Sequence, residues 1–330
     1  MSFISAFRVL CGKPETTPGT AETLADADFN TRVFEPTIGS IDVPMDMDPS
    51  KYSTGDFANG EAVPGPTSAT LSFNCKAVNA SGNAVPNWVK YATGCGCSGV
   101  YYSGETWGSG IAVYPEKHLA ESSMTIGVYD LERGLDPSGL YYEFAGCMGN
   151  MNISVEGTGK PYMMNFEFTG ALNDISDIVE ADVPELTSPS TVIPDRFLNG
   201  WITIGGVSGC ISSLELNLNN TISPVQCQSS TTGYQLFGIT AQDITLTVNP
   251  LETLETTYDW YTKYTAGTVE EVIVQTEDFR IHIPRAQITS AGVEDADGLI
   301  RTPLTFRALR PSAAGSYNWA PVVIYTRNFA

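Results

Sequence analysis

The sequence is poor in positive charge and nearly lacks histidine. Its 330 residues include 17 Lys and Arg against 37 Asp and Glu, giving a formal net charge of −20 with the 2 His neutral. This sign argues against a protein that reads duplex DNA by neutralising its phosphates. The charge is compatible with a protein past which DNA moves without binding.

Long apolar runs are absent as well. No stretch of about 18 apolar residues occurs, so the sequence predicts no membrane-spanning helix. The opening residues, MSFISAFR, lack the basic start and apolar stretch of a signal peptide, and Cys11 does not follow a lipoprotein cleavage box. We therefore expect a soluble protein that is made and used in a cytoplasm.

The 7 cysteines are too few and too scattered for a disulfide framework. Cys95 and Cys97 could join His118 as three zinc ligands. A structural zinc site normally takes four ligands in two short-spaced pairs, and no second pair is present. We expect free thiols that are buried or half-buried, no metal and no cofactor.

Residues suited to catalysis are also scarce. A nucleophilic site would need His118 or His282, and His282 lies on the polar side of an alternating segment. The acids Asp46 and Asp48 could bind Ca²⁺ or serve a glycosidase, but they lie in a Pro- and Gly-rich loop where solvated carboxylates are ordinary. No set of residues fills the roles of an active site, so no catalytic residue is predicted and we do not expect an enzyme.

What the sequence does contain is a strong two-residue periodicity. Apolar and polar residues alternate in many segments, including 70–74, 124–128, 163–168, 244–248 and 304–306. Alternation of this kind predicts half-buried antiparallel strands. The predicted class is mostly β, a β-rich α+β chain.

Two segments predict helices. One covers about 86–93 and ends at Gly94. The other is predicted to begin with Asn249 as the N-cap and Pro250 in the first turn, and to end at Gly267.

The two halves of the chain repeat one pattern: a strand ending in Leu-x-x-Asn, a helix with a Trp and a Lys-Tyr pair, and a glycine stop. We predict two tandem domains, residues 1–185 and 186–330, each with two packed antiparallel sheets (a sandwich or barrel) and one flanking helix. Residues 174–195 hold six acids and three prolines, a linker composition that places the boundary near 185–195. Four aromatic residues on the repeat helices are predicted to pack in the domain cores: Trp88, Tyr91, Trp260 and Tyr264.

Several segments together resemble the tail tube proteins of long-tailed bacteriophages. They are residues 9–26, 124–129, 144–149, 152–154, 166–172, 259–260 and 304–309, in this order. The match covers nearly the whole chain. The chain departs from the family in being more acidic and richer in cysteine, and its last twenty residues match no known pattern.

The resemblance implies two packed antiparallel sheets with a flanking helix, tiled in rings that stack into a virion tail tube. With two domains per chain, three chains give a ring of six domains. Single-domain relatives use six subunits, so trimer and hexamer both stay open, and the repeat favours the trimer. The implied partners are further copies of the chain and the tape-measure, terminator and distal tail proteins. Double-stranded DNA is implied only as passing cargo, and assembly takes place in the host cytoplasm.

Two long loops, 46–66 and 219–238, lie at the same place in each half, and loops of this length are usually functional. We predict that they stack ring on ring. The residues predicted to make this contact are Asp46, Asp48, Tyr52, Phe57, Tyr234 and Phe237. The net charge further predicts an acidic lumen that repels phosphates.

A different class of protein is the alternative. A β-sandwich with surface aromatics could serve as a host-recognition or carbohydrate-binding protein of a virion or cell surface. That alternative predicts a small species of fixed size that binds glycan and does not polymerise.

Overall fold

The alternating segments form antiparallel strands along most of the chain, which confirms the mostly-β prediction. The computed structural model describes residues 3–25, 28–30, 33–47, 62–78, 85–105, 108–115, 122–132, 138–179, 194, 196–277, 279–296, 298–311 and 320–327. These ranges contain 23 strands and two helices. The first half contains β1 (Phe3–Pro14), β2 (Phe29–Asn30), β3 (Val33–Asp42), β4 (Met45–Met47), β5 (Ala62–Pro64), β6 (Ser68–Lys76), α1 (Asn87–Gly94), β7 (Cys97–Glu105), β8 (Gly108–Pro115), β9 (Met124–Glu132), β10 (Ser138–Val155) and β11 (Met163–Val179). The second half contains β12 (Trp201–Ile204), β13 (Val207–Gly209), β14 (Ile211–Asn217), β15 (Asn220–Gln226), β16 (Tyr234–Gln242), β17 (Thr245–Pro250), α2 (Trp260–Ala266), β18 (Val269–Gln275), β19 (Phe279–Ala291), β20 (Glu294–Ala296), β21 (Leu299–Arg301), β22 (Leu304–Ala308) and β23 (Val323–Arg327).

The two halves pair their strands in the same order. In the first half the order is β3–β6–β11–β10–β9–β1. In the second half it is β14–β17–β22–β19–β18–β12. The helices α1 and α2 follow the corresponding strands β6 and β17, and a hairpin precedes each of these strands. The hairpin β7–β8 in the first half and the strand β23 in the second half are additions to this common order.

Strands of both halves join in one large antiparallel sheet, while β4–β5, β15–β16 and β20–β21 each form a separate two-stranded sheet. Residues 152–155 of β10 pair with residues 214–217 of β14, and β23 of the second half pairs with β8 of the first. One hydrophobic core follows this sheet through both halves and includes Phe73, Ile153, Leu216 and Phe306. The predicted division into two domains stays a prediction, and most of the predicted boundary lies outside the described residues.

The first helix has the predicted bounds and a buried face. The Trp88 side chain is 2% exposed and Tyr91 is fully buried. The Tyr91 ring lies edge-on to Phe73 with centroids 4.9 Å apart, and Trp88 lies 6.5 Å from Phe279 of the second half. Large aromatic side chains therefore pack α1 against β6 of the first half and β19 of the second.

The second helix begins later than predicted. Asn249 and Pro250 end β17, because Pro250 lies opposite Ile211 in the ladder with β14. The helix begins instead after Asp259, whose carboxylate accepts a hydrogen bond from the Thr262 N–H at 2.9 Å. The predicted stop at Gly267 is confirmed, with a φ of 65° that suits glycine.

This helix does not bury its aromatic residues as the repeat predicts. Trp260 is half-buried against the core, and Tyr264 is 41% exposed. A helix of 7 residues turns only one narrow face to the sheet. Its C-terminal end is held instead by Lys263, which pairs with Glu270 at the start of β18.

Replacing Gly12 in β1 by Ala is expected to destabilise the fold. The added Cβ would lie 2.5 Å from Cε1 of the buried Tyr91 ring, and a ring in a packed core has no room to move aside. We expect the free energy of unfolding to fall by about 1–3 kcal/mol in urea titration. The control is Gly209→Ala, whose Cβ would lie at an ordinary 3.6 Å from Ile202. Equal stability of the two variants would contradict the prediction.

Candidate functional site

One face of the joined sheet is lined with polar side chains, opposite the face that lies on the core. A single cross-strand row runs over seven strands from β6 to β19. Its members are each the pairing partner of the next: Asn74, Asn165, Asn152, Asn217, Thr245, Arg307 and Gln287. These side chains are half-buried or exposed, so the row forms a continuous polar surface through both halves.

Hydrogen bonds between side chains connect this row with its neighbours. The Asn165 Nδ2 donates to Asn152 Oδ1 at 3.2 Å. The Asn152 Nδ2 donates in turn to Glu215 Oε1 at 2.8 Å and to Asn217 Oδ1. Asn217 Nδ2 also donates to Glu215, at 3.1 Å. The amides thus join the two halves across the β10–β14 junction, beside a polar groove.

The polar face carries charges of both signs. The carboxylates of Glu167 and Glu215 are exposed beside the neutral amides. Cations of the same face include Lys76 at the end of β6 and Arg307, whose Nε donates to Asp243 at 2.5 Å.

The segment predicted as the second long loop is a β-hairpin that lies on the first half of the chain. Residues of β15 and β16 alternate, so that Phe237 and Ile239 are buried against Met148 and Ala171. The Phe237 ring is 3% exposed, and Tyr234 lies half-buried beside it with ring centroids 5.2 Å apart. Both predicted contact residues of this segment therefore touch their own chain.

Backbone contacts hold the tip of this hairpin. The Thr67 N–H donates to the Thr232 carbonyl at 3.1 Å. A Cβ on Gly19, whose φ is 78°, would lie 1.6 Å from the Gln235 carbonyl oxygen. Such close approach of two backbones requires glycine and ties the hairpin to the loop after β1.

The first long loop is described only at its base. There β4 and β5 form a two-stranded hairpin that places Asp46 in β4. The Gly65 N–H donates to the Pro44 carbonyl at 2.7 Å beside the first residue of β4. Asp48, Tyr52 and Phe57 lie outside the described residues.

A buried carboxylate that the sequence reasoning did not single out organises the N-terminal segment. Glu15 is 8% exposed and accepts hydrogen bonds from the backbone N–H groups of Gly19 at 2.6 Å and Gly146 at 2.8 Å. The hydroxyl groups of Thr125, at 3.0 Å, and Ser123 donate to the same carboxylate. Glu15 thus joins the loop after β1 to β9, β10 and the nearby tip of the β15–β16 hairpin. Glu15 lies within residues 9–20, which are part of the first segment that resembles the tail tube family. This position is the one feature of the sequence that could have pointed to Glu15.

All 7 cysteines are free, and they are buried or half-buried as the sequence predicts, except Cys210, which is exposed. Cys95 and Cys97 are buried without a disulfide, and burial raises the pKa of the Cys95 thiol well above its usual value. Burial also raises the pKa of Cys75 to about 12. No cluster of His, Cys, Asp and Glu suited to a metal ion occurs among the described residues, and His118 lies outside them.

His282 has a carboxylate partner on the next strand. Its Nε2 lies 2.8 Å from Glu271 on the neighbouring strand. Desolvation lowers the pKa of the imidazole below its ordinary value, despite the opposing effect of Glu271. In the part of the chain that the structure describes, no helix has the length and apolar character needed to cross a bilayer.

The sequence model of the phage tail tube protein family matches residues 8–308. The chain therefore belongs to the phage tail tube protein family, and the resemblance noted in the sequence is confirmed. Members of this family are structural components of the virion tail. No curated protein matches the chain.

Proposed function

We propose that the chain polymerises into stacked rings that form the phage tail tube, through which DNA passes into the host cell. The family match supports the role in the tail. The proposal of a channel is supported by the polar row, which crosses seven strands and both halves without interruption.

The polar face is the proposed wall of the channel. Helix α1 packs on the opposite, core-facing side of the sheet through Tyr91 and Phe73, so that side cannot border an open channel. Amides and hydroxyls on the wall, with the carboxylates of Glu167 and Glu215, give phosphates little to bind. The proposed wall is thus polar and carries exposed carboxylates, and the acidic lumen that the net charge predicts stays a prediction.

The shared strand order supports two tandem tail-tube-like domains, and we propose the ring of three chains on this basis. Three chains with two domains each give six similar units around the channel, a closed ring with approximate sixfold symmetry. The further partners proposed are the tape-measure, terminator and distal tail proteins. Assembly is proposed to occur in the host cytoplasm, and no enzymatic activity is proposed.

Ring-on-ring stacking is proposed for the first hairpin. Its base is the β4–β5 pairing, which contains Asp46, and Asp48, Tyr52 and Phe57 follow along the sequence. Phe237 is buried by contacts within its own chain. Of the two predicted contact residues in the second segment, only the half-buried Tyr234 ring is therefore available to another copy of the chain.

Negative-stain electron microscopy of the purified chain at rising concentration tests the proposal. We expect rings and hollow tubes. The matched variant lacks residues 48–61, and we expect it to form rings without tubes if the first hairpin stacks rings. If the rings are lost as well, the first hairpin makes contacts within a ring and not between rings. It would then resemble its counterpart β15–β16, which packs on the first half of the chain. Particles of one small size that bind glycan and never polymerise would overturn the tube function in favour of the host-recognition alternative.

A further inference from the structure

The helix of each half carries a tryptophan that is bonded to the segment after the preceding strand. The Trp88 indole N–H donates to the Val78 carbonyl at 3.2 Å, just after β6. The Trp260 indole N–H donates to Glu252 Oε1 at 3.3 Å, just after β17. Because β6 and β17 hold the same place in the common strand order, the two tryptophans mark corresponding ends of the two halves.

In the first half this end is covered by side chains of the second half. Trp88 is 2% exposed, and the centroid of its ring lies 6.5 Å from that of Phe279. The fully buried Tyr162 ring lies 4.4 Å from Phe279 and 5.8 Å from Phe197. Phe197 and Phe279 both belong to the second half, so one half closes the end of the other.

In the second half the corresponding end has an open apolar pocket, and Trp260 is only half-buried. Side chains of the hydrophobic core form part of the lining, so the pocket opens from the core and not from the polar row. Its volume is about 40 Å³, whereas a cavity that takes a benzene ring has about 150 Å³. The pocket therefore suits one aliphatic side chain. The residues that line it include Ile202, Ile204, Val207, Leu251, Trp260 and Leu304.

Exposed apolar side chains surround the pocket. Leu251 and Leu254, in the segment after β17, are 37% and 77% exposed. The Glu252 N–H donates to the Ile300 carbonyl at 3.0 Å, which brings the β20–β21 hairpin beside this segment. Leu299 and Ile300 of that hairpin are exposed as well. Several exposed apolar side chains close together mark an interaction surface.

The rim of this surface is acidic. Glu252 and Glu255 are exposed after β17, and the exposed Glu294 lies beside them, where it accepts a hydrogen bond from Asn249 Nδ2 at 2.5 Å. Arg301 lies opposite Glu294 in the hairpin but donates to the Asn249 carbonyl, at 3.4 Å. Among the described residues none of the three carboxylates forms an ion pair. Such a rim favours a partner that brings positive charge.

We propose that this end of the second half docks a segment of a different protein, which presents one leucine-sized side chain between lysine or arginine residues. The apolar side chain fills the pocket, and the flanking cations lie against Glu252, Glu255 and Glu294. A second copy of the chain is the poorer fit, because each copy has a net charge of −20 and repels the acidic rim. The docking surface lies away from the polar row, so the partner does not compete with DNA in the proposed channel.

Calorimetric titration with the peptide Arg-Lys-Leu-Lys-Arg tests the docking surface. We expect saturable binding of one peptide per chain, and binding roughly tenfold weaker when serine replaces the central leucine. Glu255→Lys reverses a charge of the rim and should weaken the leucine peptide by roughly threefold or more. The matched control is Glu156→Lys, which reverses an exposed charge in the turn after β10 and should leave binding unchanged.

Cys210 gives a way to locate the bound peptide. It is exposed beside the pocket, where its carbonyl accepts a hydrogen bond from the Leu251 N–H at 3.2 Å. In the Cys227→Ser variant it is the one cysteine that is not buried. A leucine peptide with a terminal cysteine, activated as its thiopyridyl disulfide, should link to Cys210 faster than the serine peptide does, with release of thiopyridone.

Both titrations are made on the dispersed chain and on assembled tubes. Equal binding of the leucine and serine peptides would reduce the contact to charge attraction and overturn the pocket as a docking site. Binding to the dispersed chain that is lost in tubes would show that a second copy covers the pocket, which also overturns the proposal. Tubes that bind neither peptide contradict the docking site and leave the tube function intact. A chain that binds the leucine peptide specifically but never polymerises supports the docking site and contradicts the tube function.

Discussion

Replacing Glu15 by Gln is expected to cost the fold about 2–4 kcal/mol of unfolding free energy. The carboxylate accepts hydrogen bonds from four donors, the N–H groups of Gly19 and Gly146 and the hydroxyls of Ser123 and Thr125. An amide offers one acceptor oxygen in place of two and turns its NH₂ group toward some of these donors. Buried donors without an acceptor are costly, since they lose their water and gain no partner.

Urea titration followed by circular dichroism measures this loss. The matched control is Glu156→Gln, which removes the same charge from an exposed position in the turn after β10. Because Glu15 also fixes the loop against which the β15–β16 tip lies, we expect faster proteolysis of that hairpin in the Glu15 variant alone. Equal midpoints for the two variants would show that the four hydrogen bonds contribute little.

Most strands were predictable because the alternation of apolar and polar residues is visible within each strand. The alternation in β6 and β17 depends only on the period of two that a sheet with one buried face imposes. The glycine stop of α2 was predictable for the same local reason, since a left-handed C-cap favours glycine. The start of α2 was not, because Asn249 and Pro250 suit a helix start but are held in β17 by pairing with strands distant in sequence.

The polar row illustrates a second limit. Asn165, Asn152 and Asn217 are separated in sequence, and each is an ordinary polar residue in an alternating strand. They become one surface only through strand pairing across both halves, which no local pattern specifies. For the same reason, the composition gives the net charge but not the face that carries it, and the predicted acidic lumen could not be assigned to residues.

Reversing the charge of the proposed channel wall is expected to slow DNA passage. In the variant Glu167→Lys with Glu215→Lys, two exposed carboxylates on the polar face become cations in every chain. Stacked rings repeat these cations along the whole tube, and each lysine near a phosphate adds a contact that must be broken as DNA moves. At low salt we expect release of DNA from triggered phage particles to slow by roughly tenfold or more.

The salt dependence separates an electrostatic effect from a damaged tube. High salt screens exposed charges, so release by the lysine variant should approach the wild-type rate as ionic strength rises. The control Glu167→Gln with Glu215→Gln removes the same carboxylates without adding cations, and it should release DNA at close to the wild-type rate at all salt concentrations. Tails of normal length by electron microscopy establish that both variants assemble. If the lysine and glutamine variants release DNA equally fast at low salt, these two residues do not face the channel, and another face of the sheet protein must line it.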